Sequence, residues 1–233
     1  MKPTEILLLV RSPVKGNVKR RLAAGIGKSH AGALYRRFVL DMLSTFFSAR
    51  IVPVICYHPP GSIRTIRRLV GPGLSLLAQR GSDHPGRLRC AFEDMFAMGA
   101  DRAIIVASDS PDLPAKFLNR AIGALDQSDS VLGPAADGGY YLVGFRADTF
   151  VPEAFRDIDW STERVFMQTA KKIKKAGRTI HVLPTWYDID TAGDLAMLVR
   201  RNRSTAFRRS LTMEYLRNHP KLTQGLPEAT NDA

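Results

Sequence analysis

Cysteine is scarce in this chain of 233 residues: only Cys56 and Cys90 are present. Two thiols in separate segments make neither a disulfide framework nor a zinc site. Cys56 lies in an apolar run and Cys90 on a helical pattern, so both read as small core residues. Long hydrophobic runs are missing as well. The stretch Ile6 to Val10 is too short for a signal-peptide core or a membrane span, so the expectation is a cytoplasmic protein. Acidic residues are few, 22 against 34 Lys and Arg, which leaves a formal charge of +12. That imbalance speaks of an anionic partner rather than of a fold. Nucleotides, phosphorylated substrates, nucleic acid and anionic surfaces all qualify. No dinucleotide-binding Gly-x-Gly-x-x-Gly follows the first apolar run, and no Ser-His-Asp or Cys-His arrangement points to a nucleophile. There is no internal repeat.

What is present is an alternation of short apolar runs and helical patterns. Strands are expected over Ile6 to Val10, Ile51 to Tyr57, Leu74 to Ala78, Ile104 to Val106, Val131 to Pro134 and Thr179 to Leu183. Pro53 argues against full pairing at that point of the second strand. Helices are expected from His30 to Ser48, from Ile63 to Val70, from Pro85 to about Gly99, after Pro114, and from about Glu163 to Ala176. Asp83 or His84 is placed to cap the helix that Pro85 opens. Ser29 reads as a helix cap, and Thr191 with Asp194 fits a capping box. This order predicts an α/β fold with a mostly parallel sheet. The domain expectation is residues 1–202, followed by a basic C-terminal helix and mobile tail over 203–233.

Three stretches carry chemistry. The first strand runs into a loop with five cations, Arg11, Lys15, Lys19, Arg20 and Arg21, together with Pro13 and Gly16. Backbone N–H groups and cationic side chains in such a loop can hold phosphates. The nearby Gly25-Ile26-Gly27-Lys28-Ser29 only imitates a P-loop, because the required first glycine is Leu22. The second stretch is Ser108-Asp109-Ser110-Pro111-Asp112-Leu113-Pro114. It puts two carboxylates at the carboxyl end of a buried strand, where open α/β sheets bind ligands. Asp112, held between two prolines before a helix, fits turn shaping or capping as well as chemistry. The third is Asp188-Ile189-Asp190. Carboxylates on two separate loops facing a cationic loop fit a Mg²⁺- or Mn²⁺-dependent transferase acting on a nucleotide or diphosphate. Asp137-Gly138-Gly139 allows two readings, a hairpin turn or a backbone that a ligand approaches closely.

The motifs RSPVKGNVKRRL, SDSPDLP, GPAADGGYYLVGF, Trp160-Ser161-Thr162 and DIDTAGDL occur in that order. In this the chain resembles a bacterial family of glycosyltransferase-A-like (GT-A) proteins, some labelled arsenosugar-biosynthesis glycosyltransferases. They belong to the nucleotide-diphospho-sugar transferase superfamily. The chain is more distantly similar to 2-phospholactate and molybdenum-cofactor guanylyltransferases. The resemblance covers about residues 5 to 200 and implies a GT-A, Rossmann-like sheet. It implies that Arg11, Lys15, Gly16, Lys19 and Arg21 hold a nucleotide's phosphates, with Gln79, Asp83 and Arg87 also on the nucleotide. It implies Asp109 and Asp190 as catalytic residues and ligands for Mg²⁺ or Mn²⁺. Asp137, Gly138, Gly139, Tyr140 and Trp160 would line the sugar or acceptor side. Two departures stand out. Arg20 replaces the family's small residue between Lys19 and Arg21, and Asp83-His84-Pro85-Gly86-Arg87-Leu88 replaces Asp-Leu-Gly-x-Arg-Met.

Three functions follow as expectations. The first is glycosyl transfer from a nucleotide-diphosphate sugar to a small-molecule acceptor. The second is nucleotidyl transfer from a nucleoside triphosphate to a phosphorylated acceptor, with pyrophosphate released; the basic first loop favours it. The third is non-enzymatic binding of nucleic acid or an anionic membrane through the cations at Arg64, Arg67, Arg68, Lys171 to Lys175 and Arg200 to Arg209. Aromatics are not interleaved with those cations and no groove-reading motif is present, so no specific nucleic acid is expected, only a weak attraction to anionic surfaces.

Overall fold

The computed structural model describes residues 4–13 and 18–223. Lys15 and Gly16 of the basic loop, and the end of the chain after residue 223, lie outside the described residues.

The apolar runs form one seven-stranded sheet: β1 (Thr4–Arg11), β2 (Val54–His58), β3 (Leu76–Ala78), β4 (Arg102–Val106), β5 (Ser130–Pro134), β6 (Tyr140–Arg146) and β7 (Ile180–Val182). Their spatial order is β3-β2-β1-β4-β6-β5-β7. All neighbours are parallel except β6, which runs antiparallel to both β4 and β5. β1 shows why the runs are continuously apolar. Side chains alternate between faces, and Ile6, Leu8 and Val10 enter one core while Leu7 enters the other. A sheet covered on both faces needs apolar residues at successive positions.

The helices are α1 (Arg20–Ile26), α2 (Lys28–Ser48), α3 (Ile63–Val70), α4 (His84–Ala97), α5 (Ala115–Ala124), α6 (Val165–Lys175), α7 (Ala192–Arg201) and α8 (Leu211–Arg217). On one face, α2 buries Leu34, Phe38, Met42 and Phe46 against Ile55, Ile104 and Val106. On the other, Phe92 of α4 meets Phe145 edge-on at 5.2 Å and stacks on Phe155 at 5.8 Å. Each such aromatic pair adds about 0.5–1.5 kcal/mol beyond its burial. α8 belongs to the first core through Met213 and Leu216. The buried Asp41 of α2 accepts hydrogen bonds from the Leu211 and Thr212 N–H groups at 3.0 and 2.9 Å, tying α8 in place.

Two local expectations are corrected. Arg20 and Arg21, read as part of a loop, open the short helix α1. Ser29 caps nothing: Gly27, at φ 85°, turns the chain from α1 into α2, and Ser29 lies inside α2's first turn. The Thr191–Asp194 capping box forms at the start of α7. Asp83 caps α4 by accepting the Gly86 N–H at 2.8 Å. β2 begins just after Pro53, whose missing N–H cannot join a ladder.

Candidate active site

The carboxyl ends of β1, β2, β3 and β4 open on a cleft of about 860 Å³. Tyr35 fixes its floor. This phenol accepts the Arg11 N–H at 2.9 Å and lies 2.9 Å from Ser108 Oγ, joining the end of β1 to the loop after β4. Burial and the nearby Asp109 charge push its pKa up to about 12, so it stays a neutral hydrogen-bonding post.

Above that floor, Lys19 draws two distant segments together. Its ammonium lies 2.6 Å from Asp109 Oδ1 and 2.8 Å from Asp190 Oδ1, with the side chain only 4% exposed. Burial alone would lower its pKa; the two carboxylates outweigh burial and hold it above the ordinary lysine value. Lys19 has φ 51° and ψ 52°, a left-handed conformation that a residue with a Cβ adopts only at a cost of about 1–3 kcal/mol. Arg21 reaches the other oxygen of Asp190 at 2.5 Å. Burial tends to raise the Asp190 pKa, but Lys19 and Arg21 prevail and keep it low.

The Asp109 turn and the Asp188–Asp190 segment are stitched together. The Ile189 N–H donates to the Asp109 carbonyl at 2.9 Å, and Ser110 Oγ donates to Asp188 Oδ1 at 2.5 Å. Asp188 has no cation within ion-pairing distance among the described residues. Burial, then the Asp109 charge, raise its pKa to about 7. Asp112 serves structure. It accepts from Arg201 Nε and Nη2 at 2.6 and 2.8 Å, from Asn202 Nδ2 at 2.7 Å and from Trp186 Nε1 at 3.2 Å. It therefore clamps the end of α7 to the same turn that carries Asp109.

One half of the cleft is cationic. Arg11 and Arg87 both line it, with His58 at the end of β2 and Gln79 just after β3. Burial, followed by the charge of Arg11, lowers the Arg87 pKa. Arg87 Nε and His58 Nδ1 are buried with no hydrogen-bond partner. The two guanidiniums repel each other and an anionic ligand would relieve that repulsion. Gln79 commits its amide N–H to the Cys56 carbonyl at 2.8 Å, which leaves its carbonyl oxygen to offer a ligand. The other half is aromatic. Trp160 stands edge-on to His84 at 5.3 Å and to Tyr140 at 6.3 Å. Asp137-Gly138-Gly139 is the hairpin turn between β5 and β6, and Asp137 and Gly139 also line the cleft. Gly138, at φ 86°, is fixed by packing: a Cβ there would stand 2.2 Å from the Glu163 carbonyl oxygen.

Of the expected site residues, Arg11, Lys19, Arg21, Gln79, Arg87, Asp109, Asp137, Gly139, Tyr140, Trp160 and Asp190 share this cleft. Asp83 and Gly138 do not line it; they cap α4 and support the hairpin. Tyr35 and His58 join the cleft without having been singled out; Ser108 and Asp188 come from the two acidic stretches, and His84, expected only as a possible helix cap, also lines it. Tyr35 occupies an ordinary core position in the periodicity of α2, so no sequence signal marked it. Asp188 stood beside Asp190 in an acidic pair, and that was its signal.

Asp109 and Asp190 suit a hard divalent cation. Both present carboxylate oxygens, and both already converge on one positive centre, the Lys19 ammonium. Among the described residues no group of three or more His, Cys, Asp or Glu side chains is arranged to hold an ion alone. Such an ion would complete its shell with substrate phosphate oxygens and water, as Mg²⁺ sites commonly do.

The fold is that of the nucleotide-diphospho-sugar transferases. The chain belongs to the family described as "Uncharacterized protein conserved in bacteria (DUF2064)", whose sequence model matches residues 42–162. A protein of Desulfovibrio desulfuricans G20, provisionally described as a nucleotide-diphospho-sugar transferase, is 38% identical. The match spans 96% of this chain and 97% of that one, with a TM-score of 0.91. More distant likenesses, which bear on fold alone, include a cytidylyltransferase from Leptospira borgpetersenii (13% identity, 98% and 100% of the two chains, TM-score 0.58). Another is Rv0371c of Mycobacterium tuberculosis H37Rv in a complex with manganese (16%, 86% and 99%, TM-score 0.53). No curated protein matches the sequence. Among the described residues, no helix is long and apolar enough to cross a membrane.

Proposed function

We propose that this protein transfers a glycosyl group from a nucleotide-diphosphate sugar to a small-molecule acceptor, with Mg²⁺ or Mn²⁺ as cofactor. The observation that carries the reading is Lys19 held between Asp109 and Asp190 at the mouth of β1 and β4. Two carboxylates and a lysine meeting at one point form a site that exchanges partners. With a diphosphate bound, Lys19 would pair with phosphate oxygens, and Asp109 and Asp190 would be the residues that hold the metal. Arg11, Arg21 and Arg87 supply further positive charge, and Gln79 offers an acceptor to the base. Asp137, Gly139, Tyr140 and Trp160 line the sugar's side of the cleft. The manganese complex of Rv0371c supports the choice of metal.

In the reaction the acceptor oxygen bonds to the anomeric carbon as that carbon's bond to the diphosphate oxygen breaks. The electron pair leaves with the nucleoside diphosphate, and the acceptor's proton passes to a cleft carboxylate. The bound metal would neutralise charge building on the leaving diphosphate. Lys19 and the arginines do the same with groups already in place, which is where preorganised electrostatics contribute most.

A second reading is nucleotidyl transfer, in which a phosphorylated acceptor attacks the α-phosphate of a nucleoside triphosphate. The cluster of Arg11, Lys19, Arg21 and Arg87 favours it, because a triphosphate carries more charge to neutralise. Product analysis separates the two. Incubation with nucleotide sugars should yield a nucleoside diphosphate. Pyrophosphate released from a triphosphate, with no nucleoside diphosphate from any sugar donor, would sink the glycosyl reading.

A further inference from the structure

A second cavity of about 310 Å³ opens on the far side of the acidic segment. It shares Arg21, Asp137, Asp188 and Asp190 with the main cleft, so the two meet at the reaction centre. None of the groups that would hold a nucleotide's base lines it. Its outer wall is Tyr187 and Met197, both exposed.

Its charges are unusual for a protein of net charge +12. Both guanidiniums in its lining serve other groups: Arg21 pairs with Asp190 and, in the proposed reaction, serves the donor's diphosphate in the main cleft, and Arg201 pairs with Asp112 while lying 5.0 Å over the Tyr187 ring. Asp194 is committed to the α7 capping box. Asp137 and Asp188 remain, and among the described residues neither has a cation within ion-pairing distance. Asp137 uses Oδ1 to accept the Gly139 N–H at 2.9 Å, which leaves Oδ2 for a ligand. A cavity whose unpaired groups are the Oδ2 atoms of Asp137 and Asp188 beside an apolar wall welcomes hydroxyl or ammonium donors. It repels phosphate and carboxylate groups.

We propose that this cavity is the acceptor site, and that the acceptor is an uncharged or ammonium-bearing alcohol rather than a phosphorylated one. The inference rests on the glycosyl-transfer reading and narrows it. The acceptor hydroxyl enters between Asp137 and Asp188, with its carbon skeleton against Tyr187 and Met197. Its oxygen bonds to the donor's anomeric carbon, its proton goes to Asp137 Oδ2, and the nucleoside diphosphate departs with the electron pair through the main cleft.

The test uses the full chain with Mn²⁺ and whichever nucleotide sugar binds by calorimetry. Glycerol, glucitol and ethanolamine are compared with glycerol 3-phosphate, glucitol 6-phosphate and phosphoethanolamine, with products read by mass spectrometry. The expected result is transfer to at least one free alcohol, at ten times or more the rate for its phosphate ester. Met197→Trp, which fills the cavity, should cut that transfer tenfold or more while donor affinity stays within twofold; Met197→Leu should retain it. Three results would overturn the proposal: preference for the phosphate esters, unchanged transfer in a folded Met197→Trp variant, or no transfer to any free alcohol while the donor is bound. If no nucleotide sugar binds at all, the glycosyl-transfer reading fails first, and the proposal with it.

Discussion

Replacing Asp112 should damage the protein more than replacing any other acid near the cleft. Its carboxylate side chain is 2% exposed and is paired with Arg201, itself 21% exposed. It accepts four hydrogen bonds, from Arg201 twice, Asn202 and Trp186. Removing one partner of a buried ion pair costs about 3–5 kcal/mol, because the other charge stays behind unpaired. Arg201 retains some access to water, so Asp112→Ala belongs near the lower end, about 3 kcal/mol. With a urea m-value of about 2 kcal/mol/M, the unfolding midpoint should fall by roughly 1.5 M. Asp112→Asn keeps the shape but turns an amide N–H toward donors, and about 2 kcal/mol is expected. The double variant Asp112→Ala/Arg201→Met should lose less than the sum of the two single variants, since no stranded charge remains. A midpoint shift below about 0.5 M for Asp112→Ala, or strictly additive losses in the double variant, would refute the clamp; the threshold corresponds to about 1 kcal/mol.

Other consequences can be checked separately. Tyr35→Phe strands the Arg11 N–H and removes the partner of Ser108; it should cost about 1–2 kcal/mol by chemical denaturation and weaken nucleotide binding in parallel. Gly138→Ala cannot fit its Cβ against the Glu163 carbonyl and also strains a positive φ, so a lower melting temperature and weaker donor binding are expected together. His84 stays exposed as a residue, yet its ring is drawn from water against Trp160 and faces the charges of Arg87 and Arg11, which bring its pKa down to about 4. A base whose folded pKa is depressed contributes fully above its unfolded pKa of about 6.5 and loses that contribution as pH falls toward 4. Stability profiles of the wild type and His84→Gln should therefore diverge between those two values and run parallel above them. A constant gap across the whole range would count against the assignment.

Much of this architecture could be read from the sequence, because local physics dictates it. The strands show as apolar runs since both sheet faces are covered. α2 shows as a 3.6-residue stripe, and the α7 cap shows as Thr191 followed by Asp194. The two prolines flanking Asp112 and the helix after them already describe a structural turn, although its carboxylate clamps α7 rather than capping α5. What stayed hidden depends on distance along the chain. Lys19 meets Asp109 and Asp190 across 90 and 171 residues, and no local pattern encodes that meeting. The antiparallel course of β6 was visible only as a possible hairpin. α1 was hidden because its first turn is two arginines, with little apolar periodicity to mark it. The role of Tyr35 was masked by its core position, and the burial of Asp188 emerges only when the two acidic segments are laid side by side.

The central claim is that Asp109, Asp190 and Lys19 form a metal- and diphosphate-exchanging centre. Calorimetric titration of a nucleoside diphosphate into the protein, with and without Mn²⁺, tests it most directly when repeated on Asp109→Asn. The expected result is metal-dependent binding in the wild type and a loss of at least about tenfold in the variant, roughly 1.4 kcal/mol, with its thermal transition preserved. Metal-dependent binding of equal strength in a folded Asp109→Asn protein would contradict the account.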